Sequence, residues 1–108
     1  MKQISLLLAA VAFVAGSAQA ADPEFSIVIQ DHKFTPSEIH VPANQKIKLL
    51  VLNKDATPEE FESTELGREK VIPGQNRATI FVGPLKPGRY PFVGEFHQST
   101  AQGVIIAE

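Results

Sequence analysis

Apolar and polar residues alternate along "FSIVIQDHKF", so that Phe25, Ile27 and Ile29 line one face of a strand. "KIKLLVLN" is strongly β-prone, with Ile47, Leu49 and Val51 on one face and Lys46 and Lys48 on the other. In "NRATIFVGPL", Ala78, Ile80 and Val82 fall on one side and Thr79 and Phe81 on the opposite one. "KPGRYPFVGEF" carries a Pro-Gly turn into a further strand, and "GVIIAE" supplies a last apolar strand. Between these periodic stretches, "TPSEIHVPANQ" has prolines at 36 and 42 that suit an edge or a loop. The long polar segment "KDATPEEFESTELGREKVIPGQ" interrupts the strand pattern, with room for a short helical turn over 63–68 that Gly67 limits.

Several short strands separated by turn signals, with no long helical period, predict an all-β chain folded as a single antiparallel Greek-key β-sandwich. Residues 1–20, "MKQISLLLAAVAFVAGSAQA", have a different character. Lys2 gives a positive start, Ile4 to Val14 an apolar stretch, and Ala18-Gln19-Ala20 a small-residue cleavage site. This is the pattern of a cleavable secretory signal, so one domain is expected over 21–108, in the periplasm and without an integral membrane segment after cleavage.

Composition narrows the chemistry. The formal net charge of −2 becomes one unit more negative once Lys2 is removed, which argues against nucleic acid and anionic membranes as partners. The chain has no cysteine, and its one methionine is the initiator. Disulfides and thiolate–metal bonds are therefore excluded. No serine–histidine–acid arrangement or phosphate-cradling loop supports hydrolysis, and no stand-alone catalytic constellation stands out.

The order of three motifs resembles the cupredoxin-like family. "FTPSEIHVPANQKIKLLVLNKD" is similar to its opening strands, "LKPGRYPFVGEFH" to the strand that delivers the metal loop, and "HQSTAQG" to the return into the last strand. "DATPEEFES", "REKVIPG" and "GEFHQSTAQG" further resemble cysteine-free cupredoxin-like proteins of bacterial ferrous-iron uptake systems of the Ftr and Efe types. That resemblance implies a periplasmic iron or copper ion binder. It would work beside a periplasmic iron-binding protein and a high-affinity iron permease, with an accessory role in iron oxidation or hand-over.

In a blue-copper loop the cysteine lies three residues before the histidine and the axial ligand five after it. Carried over, His97 takes the histidine place, Gly94 the cysteine place and Gln102 the methionine place, so a copper–thiolate centre cannot form. The upstream histidine of the family falls at Glu59 or Glu60. Carboxylate oxygen and imidazole suit iron, and copper(II) binds such donors more tightly than iron(II).

The metal ligands expected from the resemblance are Glu60, Glu69, Glu95 and His97, with Glu62 in reserve. Strand parity puts Glu59 and Ser63 on the face of Phe61 and turns Glu60 and Glu62 away. His32 and His40 read as surface or edge-strand residues, with His32 a weaker second site. The structural alternative to ligation is that Lys70, Arg68 and Arg77 neutralise the glutamates as ion pairs. The competing reading is a metal-free β-sandwich that docks on a transport partner through the same acidic loops.

Overall fold

The computed structural model describes residues 21–108; the signal segment expected over 1–20 lies outside the described residues. Nine strands form the body: β1 (Glu24–Gln30), β2 (Lys33–Thr35), β3 (Glu38–Val41), β4 (Ile47–Asn53), β5 (Glu59–Ser63), β6 (Arg68–Ile72), β7 (Arg77–Val82), β8 (Gly88–Gly94) and β9 (Gln102–Ala107). A 3-10 turn at Glu95–His97 is the one helical element among the described residues, and no described helix is long and apolar enough to cross a membrane.

The strands make two sheets, ordered β2-β1-β4-β7 and β3-β9-β8-β5-β6. Pairing is antiparallel except for β1 with β4 and β3 with β9, which are parallel. The all-β sandwich agrees with the expectation from sequence, and these two parallel pairs modify the antiparallel pattern it predicted. The first arises because the chain crosses to the other sheet for β3 and returns to lay β4 beside β1 in the same direction.

Alternation places the core. Along β4 the inward set Ile47, Leu49, Val51 and Asn53 is buried and the intervening residues are half-buried. Ile27 and Ile29 of β1, and Ile80 and Val82 of β7, join them from the same sheet. The facing sheet contributes Ile39, Val41, Phe61, Phe92 and Ile105. Phe34, Phe61 and Phe92 form the aromatic centre, with Phe92 stacked on Phe61 at 4.9 Å between centroids and edge-on to Phe34 at 4.9 Å. Such aromatic pairs add stabilisation beyond the apolar area they bury.

The polar segment after β4 is not irregular. It holds two strands, β5 and β6, joined by a turn in which Gly67 takes a φ of 62°, so the short helix considered over 63–68 is absent. Ser63 closes this hairpin: its hydroxyl donates to Pro91 O at 2.7 Å and accepts the Leu66 N–H at 3.1 Å. The ion pairs of Arg68, Lys70 and Arg77 that formed the alternative to ligation are not among those of the described residues. Arg68 instead donates to the backbone oxygens of Phe81 and Gly67.

Candidate metal centre

β5 delivers the central group. Because side chains alternate along a strand, Phe61 at 0 % exposure forces Glu59 inward on the same face, where it is 1 % exposed. A buried carboxylate needs partners. Oε1 of Glu59 accepts the backbone N–H groups of Glu60 at 3.0 Å and Phe96 at 2.9 Å, and Oε2 lies 2.6 Å from His97 Nδ1.

The room for that carboxylate comes from Gly94. A Cβ at position 94 would lie 2.7 Å from Glu59 Cδ and 2.6 Å from Ala101 Cβ. The carboxyl of Glu59 therefore occupies the volume that a side chain at the cysteine place would need. Gln102, at the place of the axial ligand, turns away and donates its amide to Gln98 O at 2.9 Å. The residues present do not fit a blue-copper ion, which requires a thiolate.

His97 closes the 3-10 turn that follows β8. Its carbonyl accepts the N–H of Ala101 at 2.8 Å, and the Gly94 N–H donates to Ala101 O at 2.8 Å, which folds the 94–101 loop back on itself. The ring of His32, from the two-residue connection between β1 and β2, stacks on the His97 ring with centroids 3.6 Å apart and planes inclined by 13°. Ligand atoms of His32, Glu59 and His97 all lie within 4.8 Å of one another. Two imidazoles and a carboxylate are the donor set of open-sided divalent transition-metal sites. A nitrogen lone pair lies in the plane of its own ring, so two nearly parallel stacked rings cannot direct lone pairs at one ion. One of them has to turn before both can ligate.

Asp55 stands behind His32. Its carboxylate accepts the N–H groups of Asp31 at 2.8 Å and His32 at 3.0 Å, and Oδ2 is 3.5 Å from His32 Nδ1. The hydrogen bond from the His32 backbone holds the Asp55 carboxyl below its ordinary value.

Of the residues expected as ligands, His97 lies in this group. Glu60, Glu62, Glu69 and Glu95 lie outside it, on the outward face of the β5–β6 hairpin and at the start of the 3-10 turn. Glu62 is the cross-strand partner of Glu69. A hydrogen bond with Glu69 raises the Glu60 carboxyl, and one with Glu95 pushes Glu62 up to about 7, like charges nearby adding to both. Carboxyls brought together on one face hold protons more tightly because a shared proton relieves their repulsion. The structure thus separates an inner His–carboxylate group from an outer acidic face. His40 sits apart on β3, 2.7 Å from Glu108 Oε1, and that carboxylate raises its pKa.

The residues that sequence reasoning underweighted are Glu59 and His32. Parity with Phe61 already turned Glu59 inward. For His32 the one local signal is the two-residue gap between alternating stretches, which predicts a tight hairpin whose tip residues sit at one end of the sandwich.

The comparisons with known proteins agree with the all-β sandwich fold. A family described as "Cupredoxin-like domain" matches residues 3–107. An uncharacterized protein of Rickettsia prowazekii (strain Madrid E) is 51% identical over 83 residues, which cover 77% of this chain and 66% of that relative, just under two thirds of its length. Auracyanin A, a "blue" copper protein from Chloroflexus aurantiacus, superposes with a TM-score of 0.69 at 11% identity, covering 82% of this chain and 100% of that one. The metal binding domain of the Streptococcus pneumoniae D39 Cu(I) exporting P-type ATPase CopA superposes with a TM-score of 0.67 at 15% identity, covering 79% and 84%.

Proposed function

The chain belongs to the cupredoxin-like domain family, and on that premise we propose that it binds one divalent transition-metal ion through His97, Glu59 and His32, in the periplasm and in support of iron uptake. The observation that carries the proposal is the convergence of these three side chains from three separate elements, with donor atoms within 4.8 Å. Glu59 replaces the soft sulfur donor of blue-copper relatives with a hard oxygen, which moves preference from Cu(I) towards Cu(II), Fe(II) and Zn(II). Iron or copper would then be chosen by supply, since Cu(II) outcompetes Fe(II) at N/O donors. An ion held here would supply Lewis acidity and, for iron or copper, a one-electron couple. The protein's own residues fix the carboxylate by two backbone N–H groups and bury it against the His97 ring.

In this reading Glu60, Glu62, Glu69 and Glu95 give the approach to the site a negative field that draws cations in. The resemblance to Ftr- and Efe-type proteins supports the link to an iron-binding protein and a permease.

Competitive titration of the purified protein with Cu(II), Zn(II) and, without oxygen, Fe(II) tests the proposal. One ion should bind per chain, and Glu59→Gln and His97→Ala should each weaken binding by at least about tenfold to a hundredfold, the scale on which even outer-shell partners act. Binding that is unchanged in both variants overturns it. A second reading is favoured by Phe96, 48 % exposed beside His97: a docking surface that needs no metal. Under that reading the same variants leave metal uptake unchanged, while Phe96→Ala impairs iron-limited growth of cells relying on the protein.

A further inference from the structure

His32 sits in a conformation that a residue with a Cβ rarely adopts. Asp31 and His32 are the two central residues of the β1–β2 hairpin, in which Gln30 pairs with Lys33, and their φ values are 53° and 56°. Primed two-residue hairpins need such left-handed pairs and are built most easily from Asn and Gly. A histidine at the second place, where glycine is favoured, points to a task for its side chain.

One carboxylate holds this turn. Asp55 Oδ1 accepts the Asp31 N–H at 2.8 Å, and Oδ2 accepts the His32 N–H at 3.0 Å. Asp55 is itself anchored from the core. Its N–H donates to Asn53 Oδ1 at 3.0 Å, and its carbonyl accepts the Gln75 N–H at 2.9 Å. Asn53 is buried at the end of β4 and donates its amide to Thr57 O at 2.9 Å and Ile72 O at 3.1 Å. A continuous chain of bonds thus runs from the sheet to the hairpin tip.

We propose that Asp55 is the positioning residue of the metal site: by gripping both N–H groups of the left-handed Asp31–His32 pair it fixes the backbone beneath His32. Only the imidazole then has to turn off His97 for His32 to ligate a divalent ion. This rests on the reading of His32, Glu59 and His97 as a metal site. Without the grip, the hairpin tip samples other conformations and the ring spends less time within reach of the ion, which lowers affinity without removing a donor.

The test is Cu(II) and Zn(II) competition titration of the full protein in six forms: unaltered, Asp55→Ala, His32→Ala, the two combined, Asp55→Ala with Asp31→Gly, and His97→Ala. Asp55→Ala should weaken binding about tenfold to a hundredfold, and by less than about twofold when His32 is already alanine, since it acts through that residue. Asp31→Gly restores a left-handed tip at no steric cost and should recover most of the loss. In the metal-free protein, the ring-current shifts that His32 and His97 impose on each other should diminish in Asp55→Ala. Should that variant not fold, Asp55→Asn keeps one acceptor oxygen and should give an intermediate loss.

Affinity equal to the unaltered protein in Asp55→Ala, alongside impaired His32→Ala, overturns the positioning role and leaves the metal site standing. An undiminished loss in the His32→Ala background also overturns it, because Asp55 then acts through the fold or the field. Unchanged binding in both His32→Ala and His97→Ala removes the metal site, and the positioning role with it.

Discussion

Gly94 and Glu59 form one unit of design. The glycine has no side chain, and the neighbouring carboxyl fills the space where one would stand. Gly94→Ala should therefore destabilise the fold by about 1–3 kcal/mol through overpacking, measured as a lower urea midpoint. The larger effect is expected on metal affinity, because of the two groups that must yield, Ala101 and Glu59, the second is a donor. Each half of this arrangement was partly legible. The missing cysteine was plain in the sequence, and the parity of Phe61 turned Glu59 inward. The resemblance carried by "DATPEEFES" nonetheless favoured Glu60, whose side chain stands on the outer face beside Glu69. Period-two alternation decides between adjacent residues more sharply than a motif match does, because a one-residue change reverses the face.

At the scale of elements, the β1–β2 turn trades stability for placement. A left-handed residue with a Cβ costs about 1–2 kcal/mol, and glycine gives part of that back as unfolded-chain entropy. His32→Gly should raise stability by about 0.5–1 kcal/mol net in denaturant unfolding, and in the same variant metal affinity should fall. A gain in both, or a loss in both, would contradict the role assigned to His32.

Strands β1, β4, β7 and β8 were legible because each buries alternate residues and leaves those between them half-buried or exposed. β6 was not, since four of its five residues are exposed and only Ile72 is buried. An edge strand that touches the core through one side chain carries no alternation for a sequence reading to detect. Its register is set instead by the hairpin with β5, whose own buried residues fix it.

Across the whole molecule, charge is sorted by depth. The buried carboxylate of Glu59 is satisfied by N–H groups and a histidine, while the outer four carboxyls repel one another. Glu62, ordinarily near 4.5, is pushed up to about 7 by its hydrogen bond with Glu95 and by nearby charge. A carboxyl whose pKa is higher in the folded state keeps its proton there longer than in the unfolded chain. Its stabilising contribution is complete below the unfolded value and is lost as pH rises to about 7. Stability should thus decline between about pH 4.5 and 7, and Glu62→Gln should flatten that slope in denaturant unfolding followed across pH.

The cupredoxin-like resemblance pointed to metal ligands drawn from separate stretches of the chain. It did not single out which side chains meet, because His32 reaches the group only through a turn fixed by Asp55, which is distant in sequence.

The three donors come from well-separated stretches of chain, with Glu59 and His97 alone 38 residues apart. An ion gripped by all three would tie the hairpin tip, the middle of the chain and the loop after β8 into closed rings, as a reversible staple does. Closing rings of that size restricts the unfolded chain, and preferential binding to the folded form adds to the effect as metal concentration rises. The loaded protein would then resist proteases and heat that the stripped protein does not, and a chelator would be enough to turn one into the other.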